Sequence, residues 1–170
     1  PVSAVCGDGC FTLSAATVVA AGDGARPTAE QLAELLRPAT GCPLPIAASA
    51  SPGQPQIALA LDSTAAGLGP EGYRLEVTPK RVALAAPTPA GLFYGVQTLR
   101  QLLPPDVFAA HRVEPAAWRI PCVAITDYPR FAWRGLMLDT GHDFQHLPFI
   151  LRFIDLMALH KFNVLHWHIT

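Results

Sequence analysis

Two short apolar runs flank an amphipathic segment near the C-terminus, and this arrangement constrains the fold more than any other feature of the chain. Gly135-Leu136-Met137-Leu138-Asp139 is nearly all apolar and ends in a carboxylate, the pattern of a strand covered on both faces. His146-Leu147-Pro148 opens a helix through about Lys161, with Ile150, Leu151, Ile154, Met157 and Ala158 recurring at helical spacing. Asn163-Val164-Leu165-His166-Trp167-His168-Ile169 is a second strand. Strand, helix and strand at this spacing form a βαβ unit, whose strands run parallel and whose crossover is right-handed.

The preceding residues follow a different pattern. Arg26 to Arg37 reads as a helix with Thr28 as N-cap, Gln31 closing a capping box, and Leu32, Leu35 and Leu36 as its apolar stripe. Pro38 limits its last turn and Gly41 stops it. Gln56 to Asp62 reads as a strand with Ile57, Leu59 and Leu61 on one face. Tyr73 to Thr78 and Arg81 to Ala86 alternate on either side of Pro79-Lys80 as an antiparallel hairpin. Thr88 and Pro89 open a helix through about Leu103, with Leu92, Phe93, Val96, Leu99 and Leu103 on one side. Asp106 to Ala117 reads as a loop and Ile120 to Ile125 as a connecting strand. The pattern predicts an α+β domain over residues 1–126, a mainly antiparallel sheet with helices on one face, followed by the βαβ unit over residues 127–170.

Charge and composition narrow the function. A net charge of -1 and the lack of any Lys/Arg cluster exclude a basic field for a phosphate backbone, so no nucleic-acid partner is expected. No apolar stretch approaches the roughly 20 residues needed to span a bilayer, so no membrane partner is expected. With 51% hydrophobic and 15% charged residues the chain is apolar: either much of its surface is buried, or some buried surface has lost its partner. Pro1 is not a start residue, and the compartment is left open, a periplasmic or secreted location included. Cys6 and Cys10 lack a paired zinc spacing; they read either as a short disulfide of an exported protein or as ordinary thiols.

The chemistry should sit beyond the C-terminal ends of the parallel strands, where α/β folds bind ligands. Asp139, the following loop with His142, and His168 with Thr170 converge there. His166 and His168 share a strand face, and Trp167 takes the other. Three readings compete for the cluster: a polar-ligand rim suited to carbohydrate, a metal site from His142, His166 and His168, and ordinary hydrogen-bonding groups at strand ends. His166, deeper in the strand, reads as a core histidine. Asp127, Arg130 and Arg134 read as turn and ion-pair residues joining the two segments.

The run Asp127-Tyr-Pro-Arg-Phe-Ala-Trp-Arg-Gly-Leu-Met-Leu-Asp139, with Ile154-Asp-Leu-Met-Ala158, Lys161-Phe-Asn163 and His166-Trp-His168, resembles the opening of the catalytic barrel of family 20 glycoside hydrolases, the β-N-acetylhexosaminidases. Glu71-Gly-Tyr73 and Gly91 to Leu102 resemble that family's N-terminal α+β domain, so the resemblance spans nearly the whole chain. It implies a (β/α)8 barrel that removes terminal β-linked N-acetylglucosamine or N-acetylgalactosamine with retention, without metal or organic cofactor. In this family the substrate's own 2-acetamido oxygen attacks the anomeric carbon. A glutamic acid protonates the leaving oxygen while a neighbouring aspartate orients the acetamido group. That Asp-Glu pair belongs to a later strand, so no catalytic residue is expected within this chain and the piece should be inactive alone.

The resemblance places Asp139, His142 and His168 as substrate-binding residues, with N-acetylhexosamine glycans as partners. The family carries an Arg-His pair after its first barrel strand; here His142 takes the arginine's place and Asp143 follows. Histidine offers fewer donors, reaches less far and titrates near neutrality. A non-catalytic carbohydrate-binding module of the same fold is the alternative. Strand edges and an apolar face without their barrel neighbours should make the isolated piece self-associate.

Overall fold

A computed structural model describes residues 1–113 and 117–169, so part of the expected 106–117 loop, and Thr170, lie outside the described residues. The chain divides into two compact units, Pro1–Tyr128 and Pro129–Thr170. Among the described residues no helix is long and apolar enough to cross a membrane.

The first unit is built on one seven-stranded sheet. Its strands are β1 (Ser3–Leu13), β2 (Val18–Ala21), β3 (Ile46–Ala47), β4 (Gln56–Leu61), β5 (Tyr73–Val77), β6 (Arg81–Ala86) and β7 (Trp118–Asp127), in the order β1-β7-β5-β6-β4-β2-β3. Antiparallel pairing runs from β1 through β7 and β5 to β6, including the expected hairpin, which Thr78 and Arg81 close. From β6 through β4 and β2 to β3 the strands are parallel, a half of the sheet that the sequence pattern does not separate. Helices α1 (Arg26–Thr40) and α2 (Pro89–Leu102) supply the residues that close the core: Leu32, Leu36, Leu92, Val96 and Leu99 are fully buried with Ile57, Leu75, Val82 and Leu84 of the sheet. At Leu61 the expected inward face ends, and that side chain is 42% exposed.

Local sequence explains most of these elements. Thr88 caps α2, accepting from the Gly91 N–H at 3.3 Å and donating to the Pro70 carbonyl. Gly91 allows α2 to approach the backbone, since a Cβ there would lie 2.3 Å from the Gly72 carbonyl oxygen. Helix α1 departs from expectation at its start. A 3-10 turn at Asp23–Ala25 leads directly into it, Ala25 is the N-cap position, and Thr28 is a buried interior residue. Pro27 in the first turn, not a side-chain cap, fits the helix start. Pro38 lies within α1 instead of ending it, because the proline and the Glu34 residue whose carbonyl it leaves unpaired are both on the exposed face. Gly41, left-handed at φ 66, then terminates α1 as expected.

Strand β1 was not legible. Its first seven residues are exposed, and its register on β7 jumps from Cys6 opposite Val123 to Cys10 opposite Pro121. The segment Gly7-Asp8-Gly9 is therefore a bulge facing Cys122, and the four cysteines are free thiols. Strand β7, read as a connection, is interior to the sheet and extends further in both directions.

Asp127 ends β7 inside a polar knot of this unit. The Tyr73 hydroxyl donates to Asp127 Oδ2 at 2.8 Å and lies 2.6 Å from Thr98 Oγ1 of α2, and the Val2 N–H donates to Asp127 Oδ1 at 3.2 Å. Tyr73 is 1% exposed. Burial, with the Asp127 carboxylate beside it, holds the phenol protonated above its ordinary range. A phenol raised in this way favours the fold below the unfolded value of about 10, and that contribution is lost as pH climbs toward the folded value. Tyr73→Phe should lower stability near neutrality by about 1–3 kcal/mol, because Asp127 and Thr98 lose a buried partner. It should also make the decline above about pH 10 shallower. Urea midpoints measured from pH 7 to 11 check both, and equal alkaline slopes for the two proteins would remove Tyr73 as the titrating group.

Candidate sugar-binding rim

The second unit consists of β8 (Gly135–Asp139), α3 (Leu147–Leu159) and β9 (Val164–His168), the strand, helix and strand read from the sequence. The two strands pair in parallel from Gly135 beside Val164 to Asp139 beside His168. Side chains alternate along a strand, so Gly135, Met137 and Asp139 share a face with Val164, His166 and His168. Met137 is 62% exposed whereas Leu138 is 9% exposed, which marks the Asp139 and His168 face as the open one. Leu138, Ile150 and Met157 are the buried hydrophobic side chains among the described residues of this unit.

Both ends of the strand pair are tied by polar side chains. At the N-terminal end the Arg134 N–H donates to Asn163 Oδ1 at 2.9 Å, and its guanidinium donates to the carbonyls of Lys161 at 2.7 Å and Phe131 at 2.9 Å. Asn163 Nδ2 donates to the Ala132 carbonyl at 2.8 Å. Lys161, a left-handed residue at φ 61, is thus bonded through its carbonyl to Arg134. Arg134 works inside the second unit, and Asp127 inside the first. Arg130 sits over the Phe131 ring, 5.5 Å from its centroid.

At the C-terminal end Asp139 Oδ1 accepts the Gly141 N–H at 2.9 Å, which turns the chain sharply out of β8. His142 and Asp143 follow on this loop and are exposed, and Phe144, 80% exposed, meets the His146 ring edge-on with centroids 5.1 Å apart. The pairing thus brings Asp139 and His168 side by side, with His142 three residues beyond Asp139. His166 departs from the core reading: it is exposed, because nothing in this unit covers the open face. Among the described residues no group of three metal-ligating side chains comes together, so His142, His166 and His168 do not form a metal centre here. Sequence reasoning missed Thr140 and the polar use of Trp167, whose indole donates to Thr140 Oγ1 at 2.9 Å. A threonine directly after a strand-ending aspartate was the available signal.

Chemically, this rim offers a carboxylate, two imidazoles and an aromatic edge beside an open face, a set suited to hydroxyl and amide groups of a polar ligand. The carboxylates of the second unit are Asp139, Asp143 and Asp155, and it has no glutamate.

Asp139 has a local structural task separable from its charge. Asparagine keeps the acceptor for Gly141, so Asp139→Asn should change stability by less than about 0.5 kcal/mol, while Asp139→Ala should cost about 1 kcal/mol. Chemical denaturation of both variants checks this; equal stability of the alanine variant and the parent would rule out the Gly141 bond.

Residues 1–128 match the family model described as glycosyl hydrolase family 20, domain 2, and residues 131–170 match the family 20 catalytic domain. A β-hexosaminidase of Porphyromonas gingivalis is 36% identical over 91% of this chain and 20% of its own length. The solved family 20 β-N-acetylhexosaminidase of Streptomyces coelicolor superposes with a TM-score of 0.90 at 39% identity, covering 100% of this chain and 34% of that one. An exo-β-N-acetylglucosaminidase of Vibrio harveyi, solved with N-acetylglucosamine, gives a TM-score of 0.84 at 29% identity over 100% of this chain and 25% of that one. The chain therefore spans between a fifth and about a third of the length of these relatives. Its α+β sheet domain and the following βαβ opening of a (β/α)8 barrel are those of one enzyme family, and the chain belongs to glycosyl hydrolase family 20.

Proposed function

We propose that this chain is the accessory domain, over residues 1–126, and the barrel opening, over residues 127–170, of an exo-acting β-N-acetylhexosaminidase. The protein it serves removes terminal β-linked N-acetylglucosamine or N-acetylgalactosamine by substrate-assisted retention. The observation that carries this reading is the in-register pair of Asp139 and His168 at the C-terminal ends of parallel strands, on an open face. Asp139, His142 and His168 are its sugar contacts. Asp139 accepts from hydroxyls of the terminal sugar, and the imidazoles donate or accept according to tautomer.

The reaction needs an acid for the leaving oxygen and a group to orient the acetamido oxygen as it attacks. The second unit supplies three aspartates and no glutamate, and Asp139 is engaged with Gly141. Its part is thus to hold the sugar, while the acid and the orienting carboxylate come from elsewhere in a complete barrel. No metal or organic cofactor enters this scheme. His142 is the residue that favours a second reading, a carbohydrate-binding module without turnover, since imidazole grips hydroxyls less extensively than a guanidinium.

The 170-residue chain should show no turnover of aryl N-acetyl-β-glucosaminide or galactosaminide, whereas the protein carrying it within a complete barrel should hydrolyse at least one. In that protein Asp139→Asn should lower kcat/KM by about a hundredfold or more, corresponding to roughly 3 kcal/mol of lost contact with the reacting sugar. Inactivity of the complete protein, combined with calorimetric binding of chitobiose, would favour the module.

Exposed apolar side chains concentrate in the second unit. Phe131, Trp133, Met137, Phe144, Leu147 and Ile169 are each more than 60% exposed. Together with two open strand edges this supports association of the isolated chain with itself. Sedimentation equilibrium at rising concentration should show dimers or larger species; a monomer at every concentration would argue against it.

A further inference from the structure

Thr140 is the first residue beyond β8, and alternation directs its side chain away from the Asp139 face. Its backbone N–H donates to the His168 carbonyl at 2.9 Å, and its hydroxyl donates to the same carbonyl at 3.2 Å. The hydroxyl oxygen meanwhile accepts from the Trp167 indole at 2.9 Å, so the group is used as donor and acceptor together. The backbone bond is the last rung of the parallel ladder, the one that pairs Asp139 with His168, so it is the two side-chain bonds of Thr140 that add to the ladder at the point where the loop departs. On the other face the Asp139 carboxylate holds Gly141. Thr140 is thereby tied to β9 and Gly141 to β8, which fixes the point from which the loop with His142 and Asp143 leaves the strand pair.

We propose that Thr140, held by Trp167, is a positioning residue of the rim: it sets where His142 and Asp143 stand relative to His168. This deepens, and rests on, the reading of the rim as a sugar site. The hydroxyl reacts with nothing; its effect passes through the loop. Trp167 does the same from the strand, since its ring lies on the face opposite His168 and its N–H bonds the Thr140 hydroxyl.

Valine has nearly the shape of threonine with neither donor nor acceptor, while serine keeps both, so the two separate hydrogen bonding from packing. In the 170-residue chain, Thr140→Val should speed exchange of the hydrogen-bonded Thr140 and Gly141 amides by about tenfold, leaving the amides of β8 and β9 within about twofold of the parent. Thr140→Ser should restore the parent rates, and Trp167→Phe, which removes the indole donor along with part of the ring, should give a smaller increase confined to the same two amides. Parent-like exchange in Thr140→Val, or no rescue by serine, would overturn the proposal. Acceleration spread equally through α3 and β9 in both Thr140→Val and Trp167→Phe would overturn it as well, because the hydroxyl would then merely support the unit. The sugar reading fails by a different measurement, the absence of turnover and of sugar binding in the complete protein, and that result leaves these exchange rates unchanged.

Discussion

The parallel register of β8 against β9 is the constraint on which the candidate site depends. A parallel pair cannot be closed by a hairpin, so the chain must return through α3, and both strands then point their C-terminal ends the same way. The register converts two residues 29 positions apart, Asp139 and His168, into neighbours. A slip of one residue would send one of them to the opposite face. The Arg134 and Asn163 bonds secure the register at one end, and the Thr140 bonds continue it beyond the other.

The two units differ in how completely they satisfy themselves. The first encloses Phe11, Leu32, Leu36, Ile57, Leu75, Leu84, Leu92 and Leu99 between sheet and helices, and its buried phenol at Tyr73 is paired with Asp127 and Thr98. The second buries few of its apolar side chains and leaves one strand face and two strand edges open. The exposure of those side chains has its cause there: residues suited to a closed barrel stand in a unit that matches the opening of one.

The division of labour along the chain follows from that difference. The first unit offers a packed sheet with a part-buried set of bonds among Tyr73, Thr98 and Asp127, and among the described residues no group of three His, Cys, Asp or Glu side chains comes together in it. The second puts its polar side chains at strand ends, where one set stabilises the turns and another borders the open face. Asp139 belongs to both sets, since one of its oxygens bonds Gly141 and the residue still borders the open face.

Periodicity alone determined the βαβ unit, the β5–β6 hairpin, the course of α2 and the position of Asp139 and His168 at strand ends, because each depends on neighbours within a few turns or on the fixed two-residue repeat of a strand. Motifs carried by the residues from Asp127 to His168 identified the family. Tertiary structure alone decided what depends on distant partners. The bulge at Gly7-Asp8-Gly9 conceals the alternation of β1, and the parallel order of β6, β4 and β2 is a matter of which strand lies beside which. Pro38 stays within a helix because its face is open, His166 is exposed because no neighbour covers it, and Thr140 becomes part of the rim only once β9 brings a carbonyl and an indole to its hydroxyl. Local propensity is written residue by residue, whereas burial and hydrogen-bond partners are properties of the assembled chain.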